Sequence, residues 1–379
     1  THPRVTIVVV THGGRVHLER CLTALQSLKY PADRYQTVVV NNAPDSQITI
    51  AERFPGVSVL NTPKDLGFAA ANDLGFAKAP ADFYVCLNDD TAATPGWLTA
   101  LLQPALDDAS IGLCTGKLIL MHDRLRVRLR CPDPGSGSLD LPRSAWRDGE
   151  PIVVERLGPR STTYVELGVP IEPGTRHKEL RFALDLAAGT GIEAALGDEL
   201  PRPVQIGSGG TLNLAVEPNV AIRSVVQNAG SIVFRDGRGR DRGAVAGRGF
   251  HYYEDDVGQF ERTEEVFAGC GASLLIRSST LADVGGFDER FFAYYEDIDL
   301  SWRSRLRGWR VVYAPRAVVR HVHRGTSRDW TWKFGYYTER NRLMMLVKLA
   351  TPDVVLTELA RAVATAGLAS AAAAGRVAT

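Results

Sequence analysis

Residues 285–303, GGFDERFFAYYEDIDLSWR, decide how this chain is interpreted. Aromatic side chains crowd the middle of the stretch: Phe287, Phe291, Phe292, Tyr294 and Tyr295. Three carboxylates follow within four positions: Glu296, Asp297 and Asp299. Apolar residues then recur at helical spacing: Ile298, Trp302 and Leu306. This pattern predicts a helix that begins at the acids, behind an aromatic wall.

Carboxylates at the start of a helix have two interpretations. Backbone N–H groups and the helix dipole favour an ionised carboxylate at that place. Beside a partly dry pocket, such a carboxylate is a candidate general base. Alternatively, Asp297 or Asp299 simply caps the helix. The residues alone leave both interpretations open.

A family resemblance favours the first interpretation. Residues 285–315 resemble the acceptor-side signature of inverting glycosyltransferase family 2, especially its rhamnosyltransferase- and galactofuranosyltransferase-like branch. The resemblance implies that Asp297, the second acid of the ED pair, is the catalytic base. It also implies an acceptor side shaped by Tyr295, Glu296 and Trp302, although helix packing is an alternative role for Trp302.

Length and composition limit the possible classes. At 379 residues, the chain is long for a single core, so two domains are expected. A net charge of +1 gives no electrostatic argument for nucleic-acid binding. Five scattered cysteines without a CxxC pair indicate reduced thiols rather than disulfides or zinc. With no signal-peptide pattern and no run of about 20 apolar residues, a cytoplasmic location is expected, and peripheral attachment at the inner face of the plasma membrane is left open.

Short apolar strands alternate with helices in the first 117 residues. Strands are expected at residues 5–10, 38–40, 57–60 and 83–87, with helices at 18–28 and 69–77. This alternation predicts a mostly parallel βαβ sheet with helices on both faces. Ligands bind such sheets at the carboxyl ends of the strands. Polar residues follow three of these strands: Thr11, His12, Asn41, Asn42, Asn88, Asp89 and Asp90.

This half resembles the nucleotide-binding half of the glycosyltransferase A fold. The segments VTIVVVTHGG, VVVNNAPDS, DLGFAAANDLG and LNDDT match its motifs in order. The resemblance implies donor contacts from Thr11, His12, Asn41, Asp65, Gly67, Asn72, Asn88 and Asp89. Family members usually have Asp, which reads the imide N–H of uracil or thymine, where this chain has Asn41, and commonly have Asn where it has Asp65. These departures leave the base of the nucleotide open.

A divalent metal ion, Mn²⁺ or Mg²⁺, is expected as the cofactor. Residues 88–90, NDD, are the counterpart of the DxD metal motif of the family, although an acidic turn is the alternative. A cation held by carboxylate oxygens would neutralise a diphosphate leaving group. Asp90 is the expected carboxylate ligand, and the resemblance implies that His321, with His323 as second choice, completes the metal shell.

An all-β segment interrupts the α/β pattern. Residues 124–131, RLRVRLRC, alternate strictly, and similar short strands are separated by Pro/Gly-rich turns. We expect an inserted β-sandwich or jelly roll at residues 118–224, between a nucleotide-sugar-binding half at 1–117 and an acceptor-binding half at 225–348. Residues 349–379 are expected to be helical. Glycan binding, oligomerisation and a spacer role remain open for the insert.

Two further segments carry hypotheses. Residues 235–248 are rich in Arg and Gly, and the arginines between 238 and 242 either contact an anionic acceptor or donor phosphates, or belong to a solvated loop. Small residues around Gly271, before an apolar strand, would let a ligand approach the backbone closely.

Together these features predict a metal-dependent, inverting glycosyltransferase. Its expected partners are a dTDP- or UDP-sugar, with rhamnose as the favoured sugar, and a hydroxyl of a glycan or lipid-linked glycan of the cell envelope. A homo-oligomer is left open, and no nucleic-acid partner is expected. The alternatives are a glycan-binding protein on a decayed transferase scaffold, and the same enzyme class using a GDP-sugar.

Overall fold

The chain folds into two units, each with its own hydrophobic core. The first comprises Thr1–Ile119, Gln227–Ala244 and Phe260–Thr379, and the second Leu120–Val226 and Val245–Gln259. The structure is a computed structural model that describes residues 2–45, 48, 50, 52–132, 139–157, 161, 163–245, 252–322 and 332–377. Side chains are described as far as residue 365.

The helices and strands follow one another in a fixed order along the chain. Up to residue 120 they are β1 (Val5–Thr11), α1 (Arg15–Gln26), β2 (Tyr35–Asn41), β3 (Val57–Asn61), α2 (Gly67–Lys78), β4 (Phe83–Asn88), β5 (Thr91–Ala93), α3 (Trp97–Asp107) and β6 (Ile111–Leu120). Next come β7 (Asp123–Arg130), β8 (Ser144–Arg147), β9 (Glu150–Ile152), β10 (Glu155–Arg156), β11 (Tyr164–Ile171), β12 (Glu179–Ala183), β13 (Gly191–Leu196), β14 (Arg202–Gln205), β15 (Thr211–Ala215), β16 (Ile222–Arg223) and β17 (Val225–Asn228). The last are β18 (Ser231–Val233), β19 (Gly239–Asp241), β20 (Glu254–Asp255), β21 (Glu264–Glu265), β22 (Ser273–Arg277), α4 (Ser278–Val284), α5 (Glu296–Leu306), β23 (Arg310–His321), α6 (Trp332–Leu349) and α7 (Pro352–Val377).

The sheet of the first unit is mixed, with strand order β6-β22-β4-β1-β2-β3. Strand β1 pairs in parallel with β2 on one side and with β4 on the other. Strand β22 is antiparallel to both β4 and β6, and β23 pairs antiparallel with β5. The strands that follow β1 therefore lie on both of its sides, β2 and β3 on one and β4 on the other. Ligands bind open α/β sheets at such a point, next to the carboxyl ends of the strands, here those of β1 and β4. The expected α/β fold class is confirmed.

Residue size decides how closely the helices of this unit approach the sheet. Strand β1 is buried along its whole length, as its run of β-branched residues predicts. Helix α2 crosses it at Gly75, where an added Cβ would lie 2.5 Å from Val8 Cγ1. On the other side, Trp97 of α3 is fully buried and its Nε1 donates to Ser273 Oγ at 3.0 Å.

The second unit contains two antiparallel sheets, of order β10-β11-β7-β13-β14 and β15-β12-β8-β9. Strand β7 has the predicted alternation, because its leucine and valine side chains enter the core of the unit. Its arginines meet acids: Arg124 Nη1 lies 3.0 Å from Asp255 Oδ1, and Arg126 pairs with Asp255 and Glu166. The core and the paired basic face together explain the strict period of two.

Residues 245–259 correct the expected division of the chain. They fall within the acceptor-binding half expected from the sequence, but strand β20 pairs antiparallel with Val225 and Val226 of the second unit. The carboxylate of Asp255, on that strand, also pairs with two arginines of β7. The strand pairing joins residues about 30 positions apart and the charge pairs join residues more than 100 positions apart, so neither leaves a mark on local periodicity.

The C-terminal helices belong to the first unit. Helix α6 buries Asn341, Arg342, Met345 and Leu346. Its Arg342 Nη1 lies 3.0 Å from Glu358 Oε2 of α7, and both side chains are buried. In the part of the chain that the structure describes, no helix is long and apolar enough to cross a membrane.

Candidate active site

The ends of β1 and β4 bring two predicted donor residues together. The Thr11 hydroxyl donates to Asp89 Oδ2, and both side chains are buried. Burial raises the pKa of Asp89 to about 6, and the hydrogen bond from Thr11 opposes the rise. His12 is half-exposed, with Nδ1 4.0 Å from Asp65 Oδ2. Asn88, at the end of β4, is half-buried.

The loop before α2 is held by an asparagine that follows β2. Asn42 Nδ2 donates to Asp65 Oδ1 at 2.8 Å and to the Gly67 carbonyl at 3.1 Å, while its Oδ1 accepts the Leu66 N–H at 2.8 Å. Asp65 Oδ1 also accepts the Gly67 N–H at 2.9 Å. Asp65 thus has a loop-building role here, in addition to the predicted donor contact.

Asn41 and Asn72, two other predicted donor residues, are both buried. Asn41 Nδ2 donates to Asn61 Oδ1 at 2.8 Å, and its Oδ1 accepts the Ala43 N–H at 3.3 Å. Asn72 Nδ2 donates to the Phe68 carbonyl at 2.9 Å, one turn earlier in α2. Their donor contacts stay predictions.

Asp90 and His321 meet at the end of β4, as the metal hypothesis requires. His321 Nε2 lies 3.0 Å from Asp90 Oδ1, and both side chains are nearly inaccessible to solvent. Within the described residues neither atom has a hydrogen-bond partner, so the close approach lacks hydrogen-bond geometry. His321 Nδ1 lies 2.7 Å from Gln227 Oε1, an acceptor, which places the ring proton on Nδ1. Two lone pairs, on Oδ1 and Nε2, are therefore left side by side.

A divalent ion fits these two atoms. A carboxylate oxygen and a neutral imidazole nitrogen are both ordinary ligands of manganese-like ions. In the described part of the chain, no cluster of three or more His, Cys, Asp or Glu side chains is available to a metal. Asp90 and His321 would thus leave most positions of a six-coordinate ion to water and substrate oxygens, as is usual for Mg²⁺. His323 lies outside the described residues.

Asp297 begins α5 and points at a glycine turn. The Gly271 N–H donates to its Oδ2 at 2.8 Å, and the Ile298 N–H donates to its Oδ1 at 2.8 Å. Burial raises the pKa of Asp297, and these N–H donors oppose the rise. A Cβ on Gly271 would lie 3.1 Å from the Phe68 ring and 3.6 Å from Asp297 Oδ2, so the turn passes closely between them.

The backbone links Asp297 to the metal side. Gly271 precedes Ala272, whose carbonyl accepts the Asn88 N–H at 3.3 Å. The same turn thus contacts the Asp297 carboxylate through the Gly271 N–H and the end of β4 through the Ala272 carbonyl. The two segments that the sequence predicted to face each other are brought to one place in the first unit.

The neighbouring acids of α5 have different surroundings. Glu296 is buried and its Oε2 has no hydrogen-bond partner among the described residues. Burial, reinforced by the charge of Asp297, raises the pKa of Glu296 well above its ordinary value. Asp299 is fully buried, and its carboxylate contacts Arg303 Nε at 2.8 Å and Lys348 Nζ at 2.9 Å.

Tyr295 and Trp302 pack into a small core around Phe291 and Ile298. The Gly239 N–H donates to the Tyr295 hydroxyl at 3.2 Å. Trp302 meets Phe267 edge-to-face, with ring centroids 5.5 Å apart. These contacts give Trp302 a packing role, the alternative stated above, and its acceptor contact stays a prediction.

Sequence reasoning missed Asp241, which lies in the Arg/Gly-rich segment. Asn228 Nδ2 donates to its Oδ1 at 2.6 Å. Burial raises the pKa of Asp241 to about 6, Asn228 opposes the rise, the charge of Asp297 adds to it and His321 lessens it. Asp241 is therefore within electrostatic range of both the expected base and the expected metal ligand. The arginines of this segment were predicted to contact an anionic acceptor or donor phosphates, or to belong to a solvated loop. In the structure, Arg238 pairs with Asp236 and Arg242 pairs with Glu264.

Comparisons with known proteins bear on the family of the chain. One family model, Glycosyl transferase family 2, matches residues 6–141, and a second, Glycosyl transferase family group 2, matches residues 225–369. The chain belongs to glycosyl transferase family 2. This membership, expected from the sequence motifs, is confirmed.

Several known proteins match this chain over short stretches. The chain is 50% identical over 60 residues to N-acetylglucosaminyl-diphospho-decaprenol L-rhamnosyltransferase of Mycobacterium tuberculosis (strain ATCC 25618 / H37Rv), or 16% of this chain and 20% of that protein. It is 46% identical over 66 residues to pre-mycofactocin glycosyltransferase of the same strain, 17% of this chain and 14% of that protein. The matches thus span a fifth or less of each relative's length. The solved structure of GalNAc-T7 with UDP, GalNAc and Mn2+ covers 91% of this chain and 48% of its own at 12% identity, with a TM-score of 0.51, which supports the fold.

Proposed function

We propose that this family 2 member is a metal-dependent, inverting glycosyltransferase that uses a nucleoside-diphosphate sugar. The observation that carries the proposal is the buried pair of Asp90 Oδ1 and His321 Nε2, 3.0 Å apart. Two lone pairs without a hydrogen between them repel each other, so burial of this pair makes physical sense when both atoms are neighbouring ligands of one cation.

Asp90 and His321 would hold the divalent ion, and Gln227 would fix the histidine tautomer. When bound, the ion would supply positive charge to a diphosphate leaving group. Thr11 and Asp89, hydrogen-bonded beside this pair, would border the donor site. The donor contacts of His12, Asn41, Asp65, Gly67, Asn72 and Asn88 are part of the same proposal.

Asp297 is the proposed general base. In one displacement, it takes the proton from an acceptor hydroxyl while that oxygen bonds to the anomeric carbon of the sugar. The bond from this carbon to the diphosphate oxygen breaks on the opposite face, so the anomeric configuration inverts. The raised pKa of Asp297 increases its proton affinity, and the Gly271 N–H keeps its carboxylate oriented. Glu296, Tyr295 and Gly271 would border the acceptor.

The names of relatives suggest the substrates. One relative is a rhamnosyltransferase whose name includes a decaprenol-linked acceptor, and the solved GalNAc-T7 structure holds UDP and Mn²⁺. We propose a dTDP- or UDP-sugar donor, with rhamnose favoured, and a glycan or lipid-linked acceptor of the cell envelope. A lipid-linked acceptor would place the protein at the inner face of the plasma membrane.

The proposal is tested with Asp297→Asn and a matched control. Calorimetry measures binding of UDP, dTDP and GDP with Mn²⁺, and release of nucleotide from the corresponding sugar donors measures turnover. Asp297→Asn should keep nucleotide affinity and lose about 10³-fold in turnover. Asp283→Asn, an exposed carboxylate on α4 paired with Arg307, should change neither. Near-normal turnover of Asp297→Asn would refute the base assignment. A wild-type chain that binds none of these nucleotides would refute the transferase proposal and favour a glycan-binding protein.

A further inference from the structure

The turn that leads into Asp297 has an unusual backbone. Three residues other than glycine adopt left-handed conformations within four positions: Phe292, Tyr294 and Tyr295, with φ of 66°, 71° and 74°. Side chains with a Cβ rarely adopt this region, and bulky aromatic residues least of all. Three such residues side by side persist only where surrounding contacts hold them.

Phe292 forms the sharpest part of this turn. Its φ of 66° and ψ of −67° are those of a γ-turn with positive φ, a rare and strained form. The Ala293 N–H closes the turn by donating to the Phe291 carbonyl at 2.8 Å. The turn aims the Phe292 carbonyl at the start of α2, where it accepts the N–H groups of Phe68 at 2.6 Å and Ala69 at 3.3 Å.

The donor-side loop is built to receive this carbonyl. An added Cβ on Gly67 would lie 2.4 Å from the Phe292 carbonyl oxygen, and Gly67 itself has φ of 72°. The turn that precedes Asp297 therefore also caps α2, the helix that follows the Asp65 loop. The turn therefore contacts the start of α2 as well as the start of α5.

One side chain satisfies the carbonyls that this backbone turns inward. Asn341 of α6 is fully buried, and its Nδ2 lies 2.9, 2.8 and 2.7 Å from the carbonyl oxygens of Phe291, Ala293 and Tyr294, which share its two N–H donors. Because all three partners are acceptors, only the amino end of the amide can face them. The neighbouring Arg340 Nη2 donates to the carbonyls of Arg290 and Phe291 at 2.8 and 2.9 Å.

We infer that Asn341 is a positioning residue that holds the turn of residues 291–295 in its strained form and thereby sets the place of the Asp297 carboxylate. The inference rests on the proposed function for its catalytic consequence. Without the amide, the carbonyls of Ala293 and Tyr294 lose the Asn341 donor, the Phe291 carbonyl keeps only the N–H groups of Ala293 and Arg340, and the residues with positive φ relax towards negative φ. Asp297 lies two residues beyond Tyr295, so its carboxylate then leaves the position that the Gly271 N–H marks.

Asn341→Ala removes the amide and is compared with Glu358→Gln. The control loosens the buried contact between Arg342 of α6 and Glu358 of α7 without touching the turn. Asn341→Ala should lower kcat by about 100-fold, the usual cost of a misplaced catalytic group, and change the affinity for UDP or dTDP with Mn²⁺ by less than about threefold. Glu358→Gln should lower Tm and leave kcat within about threefold of wild type. A wild-type kcat for Asn341→Ala overturns the inference. If the alanine variant does not fold, Asn341→Ser, which keeps one hydroxyl donor, is tested in its place.

A second substitution separates backbone positioning from a general loss of stability. Tyr294→Gly removes the Cβ that disfavours the left-handed conformation, which makes that conformation roughly tenfold more favourable. In the Asn341→Ala background, Tyr294→Gly should therefore restore kcat by about tenfold. A merely structural role predicts no recovery, because glycine also removes the packing of Tyr294 on Phe334. Absence of any recovery would overturn the positioning role.

Amide hydrogen exchange tests the same inference without activity. Asn341→Ala should speed exchange at Phe68, Ala69 and Ala293, whose N–H groups depend on this turn. Glu358→Gln should leave these three amides as in wild type. If the wild-type chain transfers no sugar but amide exchange responds as expected, the proposed function is wrong, and the claim that Asn341 stabilises the turn of residues 291–295 is retained. If exchange at these amides does not change, the inference is wrong whatever the activity.

Discussion

Gln227 offers a test of the metal proposal that leaves both expected ligands in place. Its Oε1 lies 2.7 Å from His321 Nδ1 and both side chains are buried, so the amide keeps the proton on Nδ1 and the lone pair on Nε2. Gln227→Leu removes the acceptor at similar volume. The proton is then free to move to Nε2, where it would point at Asp90 Oδ1, 3.0 Å away. A hydrogen bond would replace the two lone pairs that a cation needs.

The expected loss can be given a size. Removal of the hydrogen-bonded partner of a metal-ligating histidine usually weakens metal binding by about 10- to 100-fold, or about 1.4 to 2.7 kcal/mol. The penalty for a buried donor without an acceptor, about 1 to 3 kcal/mol, has the same magnitude. Gln227→Glu is the matched control, because a carboxylate accepts the Nδ1–H more strongly and should keep or raise metal affinity.

Calorimetric titration of UDP and dTDP with Mn²⁺, and of Mn²⁺ alone, measures the effect. The leucine variant should need about 10 to 100 times more Mn²⁺ for half-maximal nucleotide binding, and the glutamate variant should not. Circular dichroism and Tm show whether each variant is folded. Equal Mn²⁺ dependence of the wild-type and leucine variants would refute the claim that Gln227 supports a metal-ligating His321.

Other perturbations test the base and the core. Because Asp297 must be ionised to accept a proton and burial raises its pKa, kcat should fall as the pH drops, at a pH above the ordinary range of aspartate; a flat profile while the chain stays folded would contradict the assignment. Burial raises the pKa of Asp73 from 3.8 to about 6, so its stabilising contribution is present below pH 3.8 and is lost as the pH rises through 6. Asp73→Asn should therefore be more stable than wild type by about 1 to 3 kcal/mol at pH 8, with no difference at pH 4, in thermal melts. Gly75→Ala should lower stability by about 1 to 3 kcal/mol, since its Cβ would meet Val8, whereas Gly335→Ala, with open space around it in α6, should raise Tm slightly; equal melts would contradict the close approach of α2 to β1.

Local patterns were sufficient for much of the fold. The run VTIVVVT is buried at every position and forms the central strand β1, and the strict alternation of DRLRVRLR places one face of β7 in the core of the second unit. In both cases the period of the apolar residues reflects which faces are covered. Helix α3 was not among the expected elements, and it contains Pro104, a residue that local rules keep out of helix interiors. Strand β6 went unpredicted too, and the expected boundary after residue 117 falls inside it.

The site could be predicted only in part, for a physical reason. Motif order placed Asp90, His321 and Asp297 on one candidate site, and the structure brings their segments together. The groups that orient them come from distant positions: Gln227 is 94 residues before His321, and Asn341 is 47 residues after Tyr294. Such partners are chosen by the packed chain, since an amide that supports a histidine or a turn has no periodicity of its own. Resemblance to a family can indicate the catalytic base, but the side chains that orient this base are found only from the folded structure.

The three acids at the start of α5 illustrate this limit, because their order along the chain says nothing about which one can exchange a proton. Asp299 is neutralised by Arg303 and Lys348, so its carboxylate is already occupied by two cations. Glu296 is buried, its Oε2 has no hydrogen-bond partner among the described residues, and burial together with the charge of Asp297 raises its pKa well above its ordinary value, which favours its protonated form. Asp297 combines burial, which raises its proton affinity, with N–H donors from Gly271 and Ile298, which stabilise the ionised form. A carboxylate whose pKa is raised by burial and whose ionised form is stabilised by N–H donors can accept a proton in one step and release it in the next.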